Sequence, residues 1–348
     1  MTGNKKIKVA IIGFGRIAQK HLNALRQLEE YFDLQAIVDN DLEKVKEIFQ
    51  RESIDCYPDL DALFKNKIID LAAICTPTGT HAELTSKLAS EKIHVVTEKP
   101  LATTWFDGKR MVDDCRNNSV KLFTVKQFRN NPLLLAIKDA LDNGLFGKIY
   151  MVSSNVFWTR PQDYYDSEEW RGTASQDGGA VMNQASHFVD ILSWLMGPVD
   201  YIDAMTGTLG RNIEVEDTAI TNIKWKNGAL GSFSVTMLAY NKNLEGSLTI
   251  LGEKGTVKLS GTLLNDVEHW EFEDSKNSFI KIENLQAISR KSFQQKVSHF
   301  SVYQNIVNDL NDGIDFTTSG VEALKSLEMI IGIYRAAKTG KRQFFPID

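Results

Sequence analysis

Residues 7–18 read IKVAIIGFGRIA, an apolar run that enters a glycine turn and leaves it in a helical pattern. The run shows no polar alternation, which implies a strand covered on both faces. Four more such runs follow, DLQAIVD, DLAAICTP, HVVTEKP and KLFTVKQF, separated by helix-like stretches such as RIAQKHLNALRQLEE and THAELTSKLASEK. Strand–helix alternation of this kind predicts a doubly wound parallel sheet, a Rossmann fold, over residues 1–128. The turn Gly13-Phe14-Gly15-Arg16-Ile17-Ala18, with Asp39 ending the second strand, is the context a dinucleotide requires. Gly13 permits the tight turn, Gly15 lets backbone approach a pyrophosphate, and Ala18 allows close helix packing. The helix N-terminus then stabilises the phosphates. Asp39 can accept bonds from ribose hydroxyls and repels a 2′-phosphate, and no arginine follows it, so NAD is expected over NADP. The alternative is a ligand-free turn in which Asp39 caps the next helix.

Ligands of such sheets sit beyond the C-terminal strand ends. That edge receives Thr76, Pro77 and His81 after the fourth strand, Glu98, Lys99 and Pro100 after the fifth, and Lys126 and Gln127 after the sixth. An apolar strand ending in a carboxylate and an ammonium needs partners or a task, because buried ions are costly. Lys99 is expected in the crevice where a nicotinamide lies, with Glu98 bonding its ribose. Ordinary solvated charges at a strand end are the other possibility.

The 348 residues exceed what one core usually supports, and the pattern changes after Asn131-Pro132. Residues 129–348 are expected to form an α+β domain with a large, mostly antiparallel open sheet, from runs such as KIYMVSSNVFWTR, DTAITNIKWKN and GSLTILG. Two late helices are expected near 292–312 and 319–339. A net charge of −5 with mixed signs advertises no surface for nucleic acid or membrane. No signal peptide or spanning run is apparent, so the expected compartment is the cytoplasm. The three cysteines show no metal-ligand rhythm, and His21, His94, His269 and His299 stand in unrelated contexts, so no metal is expected.

The densest chemistry lies in EEWRGTASQDGGAVMNQASHFVDILSWLMG. After Gly178-Gly179 the pattern predicts a helix carrying Asn183, Gln184, His187 and Asp190, with Asn183, His187 and Asp190 on one face. His187 suits a general base, with Asp190 or Asn183 fixing its tautomer; it equally suits a satisfied, half-buried histidine. Upstream, VFWTRPQDYYDSEEWRGT gathers Trp158, Arg160, Tyr164, Tyr165, Trp170 and Arg171. Aromatic faces and guanidinium forks fit an anionic, sugar-like ligand, and they also fit a packed loop.

Across nearly its whole length the sequence resembles the glucose–fructose oxidoreductase/inositol dehydrogenase (Gfo/Idh/MocA) family, through GFGRIAQKH, CTPTGTHAEL, TEKPLA, GGAVMNQASHFVD and ALKSLEMIIGIYRAAKTGK. The resemblance implies that Lys99 lies beside the nicotinamide and the reacting carbon. It implies too that a downstream Asp-x-x-x-His pair at the substrate falls on Asn183 and His187. Asn183 departs from that pattern, which leaves His187 as the base and Asn183 as a hydrogen-bonding group. FTVKQFRNNP, FWTRPQDYYDSEEWRGT and YNKNLEGSLTILGEKG resemble the branch that oxidises UDP-N-acetylglucosaminuronate at the sugar 3-position, towards bacterial surface polysaccharide. Some members of that branch carry an alanine-rich turn and recycle bound NADH with 2-oxoglutarate, whereas this chain has the ordinary GFGRIA turn. The implied assignments are Lys99 and His187 as catalytic; Gln127, Arg160, Tyr165, Arg171, Asn183 and Gln184 at the substrate; and Gly13, Phe14, Gly15, Arg16, Ile17, Asp39, Thr76, Pro77, His81, Glu98, Lys99 and Gln127 at NAD. A homotetramer or dimer through the C-terminal sheet is implied. The alternatives are a dehydrogenase of another sugar or of inositol, and a non-catalytic NAD-binding sensor.

Overall fold

In the computed structural model, residues 5–43, 45–46, 54–273, 290–313 and 319–348 are described. The chain divides into two compact units, Met1–Gln127 with Ser298–Leu324, and Phe128–Val297 with Lys325–Asp348.

The first unit runs β1 (Ile7–Ile12), α1 (Ala18–Gln27), β2 (Phe32–Val38), β3 (Asp55–Tyr57), α2 (Leu60–Asn66), β4 (Leu71–Ile74), α3 (His81–Ser90), β5 (His94–Thr97), α4 (Trp105–Asn117) and β6 (Leu122–Thr124). Its six strands lie in the order β3-β2-β1-β4-β5-β6, all parallel. Val9–Ile12 of β1 and all of β4 are buried, as expected of strands covered on both faces. Helix α1 buries Ala18, His21, Leu22 and Leu25, one stripe at helical spacing. Side-chain caps start α2 and α4, where Asp59 accepts from the Ala62 N–H (2.8 Å) and Thr104 from the Asp107 N–H (3.1 Å).

The second unit contains α5 (Pro132–Asp142), β7 (Ile149–Phe157), α6 (Gln162–Asp166), α7 (Ser186–Met196), β8 (Val199–Gly207), β9 (Thr218–Trp225), β10 (Leu230–Thr236), β11 (Glu245–Gly252), β12 (Gly255–Ser260), β13 (Asp266–Phe272) and α8 (Arg290–Lys296). With β14 (Gln343–Phe344), eight strands form a sheet in the order β13-β12-β11-β7-β10-β9-β8-β14. Every pair is antiparallel except β7 with β10. β9 alternates buried and outward residues, the signature of a sheet with one covered face.

The helix expected near 292–312 is two helices, α8 and α9 (His299–Asp312), and α10 spans Gly320–Thr339. Residues 298–313 and 319–324, grouped by sequence with the C-terminal half, belong to the first unit. Val302, Tyr303, Ile306 and Val307 of α9 join Val9, Ile11, Leu22, Leu25 and Phe32 in one core. Cys75 and Cys115 are buried free thiols, and burial pushes the Cys115 thiol up to about 12. Among the described residues, no helix is long and apolar enough to cross a membrane.

Candidate active site

In the first unit the strand ends are stitched side by side. Gly13 N donates to Val38 O (2.7 Å), Cys75 N to Ile12 O (2.8 Å), Glu98 N to Ile74 O (3.0 Å) and Val125 N to Thr97 O (2.9 Å). One edge thus carries the glycine turn, Thr76, Glu98 and Lys99. Gly13 has φ +84°, and a Cβ there would stand 2.6 Å from Thr76 Cγ2, so only glycine fits. A Cβ on Gly15 would meet no atom within 4 Å, which leaves the backbone open to close approach by a ligand. Asp39 Oδ2 accepts from the Phe14 N–H (2.6 Å), and Oδ1 from the Asp41 N–H (2.9 Å). Asp39 therefore clamps the turn while its remaining lone pairs stay available for hydroxyl donors. The first turn of α1 has no acidic residue. This donor-lined, uncrowded turn fits a dinucleotide pyrophosphate.

Beyond β5 the chain is held from two sides. His81 is buried, with Nδ1 3.2 Å from the carbonyl oxygens of both Pro100 and Leu101, and Nε2 3.0 Å from Thr76 O. Burial lowers its pKa. Glu98, placed by sequence reading at a ribose, is buried, and its Oε2 accepts from the Lys99 N–H (3.1 Å). Its Oε1 lies 3.1 Å from His21 Nε2 and 2.7 Å from His299 Nε2, while His21 Nδ1 lies 2.8 Å from the Tyr303 hydroxyl. Two histidines that seemed unrelated in sequence therefore meet at one carboxylate, their ring centroids 4.6 Å apart. Burial raises the Glu98 pKa, but the bonds and charges of His21 and His299 outweigh it and hold the carboxyl well below its usual range. Burial lowers His21. Separations of 77 and 201 residues hid this cluster, and no local motif announces it.

In the second unit, Gly178 (φ +90°) and Gly179 (φ +87°) turn the chain over Glu216. A Cβ on Gly179 would lie 2.2 Å from Glu216 Oε2. The single helix expected after this turn is broken. Residues 180–184 form one π turn, closed by Ala185 N to Ala180 O (2.9 Å), and α7 starts afresh at Ser186. Asn183 and His187 therefore stand on separate elements, not at i and i+4 of one helix. The turn follows Glu216, whose backbone carbonyl accepts from Ala180 N (3.0 Å) and whose Oε1 accepts from Val181 N (2.9 Å). The Asn183 amide donates to Asp177, whose Oδ2 accepts from Gly172 N (2.7 Å). His187, 9% exposed, stacks on Phe128 with centroids 4.8 Å apart and planes 8° from parallel. Asp190 accepts a bidentate pair from Arg129, at 2.9 Å to each oxygen, both residues being buried.

The aromatic loop converges on two guanidinium groups. Arg171 lies 4.3 Å from the Tyr164 ring centroid and 4.7 Å from that of Trp170, and Arg160 5.3 Å from that of Trp158. Arg160 Nε donates to Gln184 Oε1 (2.9 Å), and Gln184 Nε2 donates to the Tyr164 hydroxyl (2.9 Å). Arg171 Nε has no hydrogen-bond partner among the described residues. Tyr165 is buried, so it is Tyr164, with Trp158 and Trp170, that stands among the arginines. The loop's composition signalled an aromatic partner but not which tyrosine it would be.

Residues 7–126 match the family model for the oxidoreductase family's NAD-binding Rossmann fold, and residues 138–344 match that for the same family's C-terminal alpha/beta domain. The chain is similar to the WlbA dehydrogenase of Bordetella pertussis, solved with NADH and UDP-GlcNAcA: 42% identity, TM-score 0.90, 99% of this chain and 100% of that one covered. The WlbA dehydrogenase of Chromobacterium violaceum, solved with the same two molecules, gives 42% identity and TM-score 0.92 over 100% and 98%. Among curated relatives, D-apiose dehydrogenase of Rhizobium rhizogenes is 25% identical over 97% of this chain and 96% of its own.

Proposed function

Because the chain belongs to the Gfo/Idh/MocA oxidoreductase family, we propose that it is an NAD-dependent dehydrogenase that oxidises the 3-hydroxyl of UDP-N-acetylglucosaminuronate to the 3-keto sugar. The observation that carries this reading is the 42% identity, over essentially full length, to two dehydrogenases solved with NADH and UDP-GlcNAcA. NAD, when bound, supplies the hydride acceptor. Gly13, Phe14, Gly15, Arg16 and Ile17 form its pyrophosphate turn. Asp39 takes the adenosine ribose, and Thr76, Pro77, His81, Glu98 and Gln127 shape the nicotinamide end. Lys99 donates to the alcohol oxygen and stabilises the charge that develops there. His187 accepts the hydroxyl proton, its ring plane fixed by Phe128. Asn183, Gln184 and Gln127 orient the sugar, and Arg160 and Arg171, with Tyr164 and Tyr165 behind them, take the carboxylate or diphosphate.

Such a product belongs to nucleotide-sugar assembly for bacterial surface polysaccharide, in the cytoplasm. A dimer or tetramer would form through the eight-stranded sheet, whose outward face pairs Met151 with Leu230 and Met205 with Ile220. The test is NADH absorbance with purified protein, NAD and a panel of UDP-sugars, D-apiose and inositol. Turnover of the uronate alone is the expected result. Turnover of another sugar redirects the specificity, and the absence even of stoichiometric NADH in a single turnover would leave an NAD-binding sensor. Lys99→Met and His187→Gln should each lower kcat by about 10²–10⁴-fold.

A further inference from the structure

The Tyr303–His21–Glu98–His299 network draws on three distant segments. His21 is on α1, just past the glycine turn; Glu98 directly follows β5; His299 and Tyr303 are one turn apart on α9. We propose that this network is a positioning device for Lys99, with His21 and His299 as positioning residues that act through Glu98. The inference rests on the reading of Lys99 as the group at the reacting alcohol.

The hydrogen bonds form a directed chain. The ionised Glu98 Oε1 can only accept, so His21 Nε2 and His299 Nε2 donate to it; a neutral His21 then has Nδ1 left to accept from the Tyr303 hydroxyl. The carboxylate is thereby fixed at one oxygen and uses the other to hold the Lys99 backbone N–H. Two residues on, His81 faces the Pro100 and Leu101 carbonyls, so the backbone around Lys99 is gripped before and after it. Anchoring a strand end needs no ion, and an apolar side chain would serve with no desolvation cost. Three donors on one carboxylate, the His21 and His299 imidazoles and the Lys99 N–H, instead give directional placement, and misplacing a catalytic group by about 1 Å can lower a rate about 10²-fold. The ligand atoms of His21, Glu98 and His299 also fall within 4.8 Å of one another, so a bound metal is a distinct outcome to be measured.

The test compares His299→Leu with His299→Gln, which restores an N–H donor near the Nε2 position, and crosses each with Lys99→Met. His299→Leu should lower kcat about 10–100-fold while the Kd for NAD stays within about threefold, and His299→Gln should recover most of the loss. In the Lys99→Met background, His299→Leu should change kcat less than twofold, because both act through one group. Circular dichroism and Tm confirm that each variant is folded. The proposal is overturned if His299→Leu keeps wild-type kcat, if leucine and glutamine are equally impaired, if the effects of His299→Leu and Lys99→Met multiply, or if NAD affinity falls in step with kcat. Stoichiometric zinc in the purified protein, by mass spectrometry, would replace the network with a metal site. An active Lys99→Met would remove the reading of Lys99 itself, and the proposal with it; Lys99→Met dead beside an unaffected His299→Leu would remove the proposal alone.

Discussion

Glu98 and Glu216 are 6% and 8% exposed, and each sits beneath a segment that carries proposed catalytic groups. Their acidities move in opposite directions. Glu98 receives imidazole and backbone donors and stays ionised. At Glu216 burial dominates over the Val181 N–H and Tyr334 hydroxyl, neighbouring Asp177 adds repulsion, and the carboxyl is pushed up to about 7. The Tyr334 oxygen lies within hydrogen-bond distance of both Glu216 Oε1 and the Gly178 carbonyl, yet has one proton to give. Similar burial thus accompanies opposite pKa shifts, and the donors supplied by the fold decide the direction.

The largest expected break in this comparison is Glu98→Ala. It strands two buried imidazole donors and should cost about 3–5 kcal/mol in denaturant unfolding. Next is the pH dependence. The folded pKa of Glu216 lies above its ordinary value of 4.5, so its ionisation destabilises the fold as pH rises from 4.5 to about 7. The loss should be about 3 kcal/mol, and Glu216→Gln should flatten it in a Tm series. Glu98 has the opposite sign: its stabilisation is present above 4.5 and fades as pH falls below that value. Gly179→Ala sharpens the Glu216 half, because the new Cβ meets the carboxylate at 2.2 Å with φ at +87°; a loss of about 1–3 kcal/mol in thermal unfolding is expected. The smallest effect is the exposed control, Arg116→Ala. It breaks the pair with Asp113 on open helix surface and should change stability by less than about 0.5 kcal/mol.

Legibility along the chain follows the range of the forces involved. β1, the Gly13 turn and the Asp39 strand end were readable because apolar runs, helical spacing and turn glycines act over a few residues. β8 and β13 carried weaker patterns and were not anticipated. The π turn at 180–184 falls where the sequence pattern predicts plain helix, since the Glu216 groups that hold Ala180 and Val181 lie about 35 residues away. Tyr164 and Tyr165 are adjacent in sequence, and only packing chose the former for the arginines.

By itself the sequence determined a parallel nucleotide-binding sheet and a mostly antiparallel partner sheet. These depend on periodicity, glycine conformations and residue chemistry, all of which are local. Only the tertiary structure decided that α9 crosses back to join the first core, that Glu98 is held between His21 and His299, and that Glu216 shapes the turn before His187. Such pairings join residues tens to hundreds of positions apart, and the desolvation that sets their charge exists only once the chain has folded around them.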